Sequence, residues 1–418
     1  MQAALAQHDG LLRDIIENHT GRVIKSTGDT LLTGPVVDQA ALHGLLKKCV
    51  IWACHCTRSI ASNPARELLQ TSNSKSDELL IQHDAKKANQ MKAIVWTKYG
   101  SPDGLQLKEV EKPTPKDDEV LVKVYATTVI AGDCELRNFK FPILYWLPLR
   151  ILIGFRKPTR ITVLGQELAG EIETVGKEVT RFKKGDSVIA ATKLRLGSYA
   201  EYVCLPETYP VLKPANMTYE EAATIPTGGI YGLHLLRKAN VQSGQKVLII
   251  GAGGSIGTYA VQIARIIGAE VTAVDSTGKL DMLRSIGADY VIDYTKADFS
   301  RSGETYDAII DVVGKSSFSG CIRSLKQNGR YVLGNPGISE RIRGQWTSMT
   351  TDKKVIFESA NHSPEDYTTL IELIEAGKIK SVIDRRYPLE QIAEAHRYVE
   401  TGQKKGYVVI TVGHNNNT

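Results

Sequence analysis

Residues 245–268 read QKVLIIGAGGSIGTYAVQIARIIG, and this stretch decides the fold. Val247 to Ile250 form a short apolar run rich in β-branched residues, held between Gly244 and Gly251, which predicts a buried parallel strand. Ile256, Ala260, Ile263 and Ile267 then recur at helical spacing, and Gly268 stands where a left-handed residue would stop the helix. Between strand and helix lies Gly251-Ala252-Gly253-Gly254-Ser255-Ile256-Gly257. Glycines there allow a diphosphate to reach backbone N–H groups at a helix N-terminus, where a Cβ would obstruct it. A second strand, Val271 to Val274, ends in the acid Asp275 about 20 residues on. Strand, glycine loop, helix and acid together specify a dinucleotide site.

Downstream the strand–helix alternation continues. Helix Lys279 to Ile286, strands Tyr290 to Ile292 and Asp307 to Val313, helix Phe318 to Leu325 and strand Tyr331 to Leu333 imply a doubly wound parallel sheet. Helices Pro364 to Ala376 and Leu389 to Glu400 follow, and the strand Tyr407 to Val412 is expected to return to the first module. That module, Met91 to about Asn216, is strand-rich. Lys92 to Trp96, Glu119 to Tyr125, Leu168 to Val175 and Ser187 to Ala190 run between turn signals such as Ser101-Pro102-Asp103-Gly104 and Lys183-Lys184-Gly185-Asp186. The fold class is therefore α/β, an antiparallel β module joined to a parallel sheet.

At 418 residues the chain is long enough for two or three domains. The net charge of +6 is spread along the chain; it suits steering of an anionic cofactor and does not imply nucleic acid. Six cysteines show no disulfide framework, which suggests a reducing, cytoplasmic compartment. No basic segment followed by an apolar run marks a signal peptide. The most apolar stretch, Phe139 to Phe155, is broken by Lys140, Pro142, Pro148 and Arg150 and falls short of a membrane span. It either lines a hydrophobic pocket or packs under a loop.

Residues 1–34 carry a helical pattern (Leu11, Leu12, Ile15, Ile16) and then HTGRVIKSTGDTLL. This resembles a fragment of the class III nucleotide cyclase catalytic domain, in which Asp29 would be one of two metal-binding aspartates. The strand carrying the other is absent, and one carboxylate does not hold two ions, so no cyclase activity is expected. Residues 35–90 read as a linker, expected to be disordered, with Ser72 to Gln90 its polar end. Cys54-His55-Cys56 with His43 and Cys49 fits no zinc template. Met91 reads as a complete start, so residues 1–90 are expected to be a fused remnant or a start-site error.

The segment Met91 to Val412 resembles the medium-chain dehydrogenase/reductase superfamily in its zinc-independent, quinone-reductase-like branch. The residues that carry the likeness are MKAIVWTKYGSPDGLQL, VLGQELAGEIETVGKEVTRFKKGDSV, GAGGSIGTYAVQIA and IGADYVIDY. The resemblance implies a GroES-like catalytic domain (91–215), a Rossmann domain (216–354) and a return to the catalytic domain (355–418). It further implies hydride transfer from NADH or NADPH to a small-molecule quinone or α,β-unsaturated carbonyl, with a zinc-free alcohol/aldehyde oxidoreductase or a non-catalytic NAD(P)H-binding protein as the alternatives, and it leaves a homodimer as one possible assembly. Where zinc relatives bind metal with Cys and His, this chain has Ile130 and Gln166, so no zinc is expected.

In the same likeness, Asp133 holds the loop before the site. Arg137 either donates to a substrate oxygen or forms a salt bridge. Tyr231 stands where a threonine usually borders the nicotinamide, and serves as a polar handle or as a packed aromatic. Cys134 is read as a packed thiol. The cofactor residues are Gly251, Ala252, Gly253, Gly254, Ser255, Ile256 and Gly257, with Asp275, Ser276, Lys279, Tyr294 and Gly314. Asp275 favours NADH by accepting from the ribose diol; the branch likeness, with Ser276, Thr277 and Lys279, favours NADPH. The sequence leaves both forms open.

Overall fold

The computed structural model describes residues 89–141, 143–334, 336–357 and 363–414, all within one compact unit, Thr71–Thr418. The cyclase-like fragment with Asp29, and the linker as far as residue 88, lie outside the described residues.

Strands β1 (Gln90–Trp96) and β2 (Leu105–Glu111) pair antiparallel across the Ser101-Pro102-Asp103-Gly104 turn. A larger sheet is built on β3 (Glu119–Val129), which is buried along most of its length because it pairs with three strands. Its antiparallel neighbours include β4 (Glu167–Val175), which in turn carries β5 (Ser187–Ala191). Strand β6 (Tyr202–Pro206) pairs with β3, and β7 (Pro210–Leu212) with β5. Between β3 and β4 the chain forms helices α1 (Ala131–Asn138) and α2 (Ile143–Ile153).

After helix α3 (Ile230–Lys238) come six strands whose pairings are all parallel. They are β8 (Lys246–Ile250), β9 (Glu270–Asp275), β10 (Tyr290–Asp293), β11 (Tyr306–Asp311), β12 (Leu325–Leu333) and β13 (Lys354–Phe357), in the order β10-β9-β8-β11-β12-β13. Helix α4 (Ser255–Ile267) ends at Gly268 with φ 90°, as the sequence predicts. The strand order reverses between β8 and β11, which opens a crevice beyond their carboxyl ends where α/β sheets bind ligands. Val247, Leu248 and Ile249 are fully buried there, so the loop that leaves β8 starts from a rigid base.

Several elements have no counterpart in the sequence reading, two of them in the second half of the chain. Helix α5 (Ile338–Thr350) leaves Ile338, Ile342, Trp346 and Met349 exposed and packs at Gly344 against Val355 and Phe357. Strand β14 (Ile383–Pro388) carries Asp384, Arg385 and Arg386 at a sheet edge, where charge is usual and apolar alternation is not. Elsewhere the boundaries move slightly: Lys279 closes a 3₁₀ turn before a helix over Leu280–Ser285, and the helix from Phe318 stops at Arg323 because Leu325 opens β12. After helix α6 (Ile392–Glu400), strand β15 (Tyr407–Thr411) lies between β14 and β3, antiparallel to β3.

Candidate functional site

The loop leaving β8 is shaped by its glycines in different ways. Gly251 has φ 78°, and a side chain there would run into Val313. At Gly257 a Cβ would lie 2.6 Å from Ala252 Cα, so this glycine lets helix α4 sit on the strand. Gly254 differs: among the described residues other than its chain neighbours, one atom lies within 4 Å of its Cβ position, Gly251 O at 3.4 Å. It is also the N-cap of α4 and supplies no side-chain cap. The N–H groups of Ser255 and Ile256 therefore have no intrahelical acceptor and open onto that space. An anion fits here on both steric and dipolar grounds.

Asp275, at the end of β9, is buried and turned onto the loop. Its Oδ2 accepts from Gly253 N–H (2.8 Å) and its Oδ1 from Ser276 N–H (2.8 Å), while Lys279 Nζ lies 3.0 Å from Oδ1. Both side chains of this ion pair are nearly buried. Next to it Asp293 accepts from the Thr277 and Thr295 hydroxyls, which hold its carboxyl down to about 2, and Lys296 Nζ lies 3.6 Å away. Each lysine in this corner thus faces a carboxylate. Tyr294 presents an exposed ring beside them, its N–H donating to Asp275 O (3.2 Å).

On the other side of the crevice, Asp311 ends β11 fully buried. Its Oδ1 accepts from Val313 N–H (3.0 Å) and Gly314 N–H (2.8 Å), and its Oδ2 from Tyr331 Oη–H (3.2 Å). Gly314 turns with φ 69°. The chain's end closes over the same loop: Gly406 N–H donates to Gly253 O (2.8 Å), and Lys404 Nζ donates to Ser255 Oγ and Gly406 O, both at 2.6 Å. Lys404 is buried, and burial, with Lys279 nearby, lowers its pKa to about 8. Neither Asp311 nor Lys404 is visible as a site residue in the sequence. Asp311 could have been noticed as an acid at a strand end before Val312-Val313-Gly314. Lys404 carries no such signal, since it stands 149 residues from Ser255.

The catalytic module contributes α1 and the start of β4. Asp133 is fully buried; it accepts from Ile130 N–H (3.0 Å) and from Gln166 Nε2 (3.2 Å), and burial pushes its carboxyl up to about 6. Gln166 is therefore tied to Asp133, and the Ile130 side chain is buried. Glu167, pushed up to about 7 by burial, accepts from Thr128 Oγ1 and from Thr227 N–H (2.7 Å), which joins the catalytic sheet to the segment before α3. Cys134 Sγ sits 3.4 Å from His396 Nδ1; burial raises the thiol to about 12, so it stays protonated.

Arg137 does not face the crevice as a free donor. It is wholly buried and donates to Gly100 O and Glu400 Oε1, because the helix turn that carries it packs onto α6. Of its two readings, the geometry is that of an internal tie. Tyr231, in the first turn of α3, is half-buried, and burial raises its phenol pKa. Glu135, whose pKa burial raises and Lys315 lowers, links α1 electrostatically to the loop beyond Gly314. The structure thus brings Asp275, Ser276 and Lys279 onto the Gly251–Gly257 loop, with Val313 and Gly314 on its other side, and ties Gln166 to Asp133 in the first module.

Among family models, an alcohol dehydrogenase GroES-like domain matches residues 116–215, a zinc-binding dehydrogenase residues 286–410, and a domain of unknown function residues 18–51. The chain is 33% identical to the 2-methylene-furan-3-one reductase of Solanum lycopersicum over 77% of this chain and 79% of the other. It is 31% identical to an NAD-dependent alcohol dehydrogenase of Saccharolobus solfataricus, over 77% and 99%. Among solved structures, the quinone oxidoreductase of Coxiella burnetii superposes with a TM-score of 0.70 at 28% identity, covering 78% of this chain and all (100%) of that one. No described helix is long and apolar enough to cross a membrane.

Proposed function

This chain belongs to the medium-chain dehydrogenase/reductase superfamily, in its quinone-reductase-like branch, and on that premise we propose that it moves a hydride from NADH to a quinone or an α,β-unsaturated carbonyl without catalytic zinc. The observation that carries the reading is the open space over Gly254 at the uncapped N-terminus of α4, which suits a diphosphate. A bound nicotinamide would supply the hydride, and the protein's work is to bind it, orient it and keep the crevice dry.

The residues favour a conjugated acceptor. Ile130 is a hydrocarbon and the Gln166 amide already donates to Asp133, so this pair does not suit zinc. Without a Lewis acid, an acceptor whose developing charge spreads over an enolate needs only a hydrogen-bond donor and a solvent proton. Tyr231, whose raised pKa keeps the phenol protonated, is that donor in this reading. Similarity to a 2-methylene-furan-3-one reductase, whose named substrate is an α,β-unsaturated ketone, supports it.

NADH is preferred because, among the described residues, the adenosine corner has no spare positive charge. Lys279 is matched by Asp275 and Lys296 by Asp293, so a 2′-phosphate would meet two carboxylates. Tyr294 offers its exposed ring to the adenine. Titration of the purified protein with both nicotinamides should show NADH binding about tenfold or more tightly than NADPH. A panel of quinones, enones and saturated aldehydes should then show turnover concentrated in the conjugated acceptors, lowered about tenfold in kcat by Tyr231→Phe. Equal turnover of saturated aldehydes would instead favour alcohol–aldehyde chemistry, the reading that the Saccharolobus relative supports. Cofactor binding with no turnover would leave a sensor.

Lys404 adds a pH dependence. Protonated, it places a buried cation beside the diphosphate loop; as pH rises through about 8 that charge is lost. The NADH dissociation constant is expected to be flat below neutrality and to rise about tenfold between pH 7 and 9.5, with Lys404→Met weak and flat throughout. An identical rise in the variant would assign it to another group.

A further inference from the structure

From Leu136 to Gln166 the sequence contains no acid, while Arg137, Lys140, Arg150, Arg156, Lys157 and Arg160 all fall within it. Helix α2 occupies the middle of this stretch, and apart from Arg150 every residue in it is apolar or proline. At 1.5 Å per residue its 11 residues reach about 17 Å, too short for a bilayer core of about 30 Å.

Yet one face of the helix is exposed. Leu147, Ile151 and, just past its end, Phe155 recur four apart on one face and are 51%, 58% and 61% exposed. The other face holds the helix down: Ile153 is buried, and the Arg150 guanidinium lies over the rings of Tyr99 (3.9 Å) and Phe139 (4.1 Å). Arg156, Lys157 and Arg160 follow, all exposed, and none has a carboxylate partner among the described residues. Arg160 also donates to Ile151 O, and an exposed apolar row bordered by cations that no described carboxylate meets is the pattern of a helix that lies in a membrane interface.

We propose that α2 and its basic flank form a docking surface for an anionic lipid bilayer. Leu147, Ile151 and Phe155 enter the headgroup boundary, and Arg156, Lys157 and Arg160 meet lipid phosphates. A second copy of the chain fits this surface poorly. A two-fold contact sets a patch against itself, which would bring Arg156, Lys157 and Arg160 face to face with their own copies. The proposal goes beyond the hydride-transfer reading and does not depend on it.

The test is co-sedimentation of the full chain with extruded phosphatidylcholine vesicles, with and without roughly one-third phosphatidylglycerol. Binding is expected on the anionic vesicles, at least about tenfold weaker on neutral ones, and reduced by salt. At roughly fivefold per basic residue, Arg156→Gln with Lys157→Gln should weaken it about 25-fold. Leu147→Gln, Ile151→Gln and Phe155→Gln together should weaken it at least about tenfold. Ile342→Gln with Trp346→Gln, which removes exposed apolar residues of α5 instead, should leave it unchanged. Thermal melting confirms that each variant is folded. Absence of vesicle binding, equal binding to neutral vesicles, or loss of binding only in the α5 variant overturns the proposal. So does a dimer that the α2 variant converts to monomer without any vesicle binding.

Discussion

Gly254→Val is expected to weaken NADH binding by at least about 100-fold while moving the melting temperature by less than about 2 °C. The two halves of that expectation have separate causes. Gly254 has φ −89° and ψ −176°, extended backbone that valine adopts freely, and no atom lies closer than 3.4 Å to the position of its Cβ. The fold therefore accepts the substitution. The added methyls fill the space in front of the Ser255 and Ile256 N–H groups, which is where a diphosphate must approach. Gly257→Ala is the contrasting case: its Cβ would press on backbone at 2.6 Å, so it should lower stability as well as binding. Fluorescence titration with thermal melting separates the two. A Gly254→Val protein that binds NADH as wild type does would mean that the cofactor lies elsewhere.

Asp311→Ala is expected to cost about 3 kcal/mol of stability and about 100-fold in kcat/KM. The carboxylate is fully buried and satisfies three donors, the Val313 and Gly314 N–H groups and the Tyr331 hydroxyl. Alanine leaves the buried Tyr331 hydroxyl and the partly buried Val313 and Gly314 N–H groups without this acceptor, and the cost of an unmade buried hydrogen bond exceeds the value of one made. The loop it braces faces the cofactor loop across the crevice, since a side chain at Gly251 would strike Val313. A shift of that loop would misplace the nicotinamide relative to its acceptor. Asp311→Asn keeps an acceptor for the two N–H groups and should recover about half of the lost stability. Urea unfolding and steady-state kinetics on the three proteins check this; an alanine variant as stable and active as wild type would remove Asp311 from the site.

The strand–loop–helix at 246–267 was legible because its signals are local. A β-branched run, a glycine cluster and a helical period each act within a few residues, and Gly268 as the stop depends only on its own φ. Asp275 was legible as a strand-end acid, but not its orientation: only the packed loop turns both of its oxygens inward to Gly253, Ser276 and Lys279. Arg137 shows the converse. As a type of residue it suits a substrate oxygen equally well, and its burial against Glu400 comes from α6, which lies far along the chain.

By itself, then, the amino-acid sequence determined the strand, glycine loop and helix at 246–267, the strand–helix alternation that follows and the family, because propensity, periodicity and glycine conformation are properties of neighbouring residues. Only the tertiary structure decided that Lys404 reaches Ser255, that Asp311 holds the facing loop, that Lys279 and Lys296 each lie beside a carboxylate, and that Leu147, Ile151 and Phe155 stay exposed. Those facts depend on which distant surfaces meet and which do not, and burial, ion pairing and exposure exist only once the chain has closed on itself.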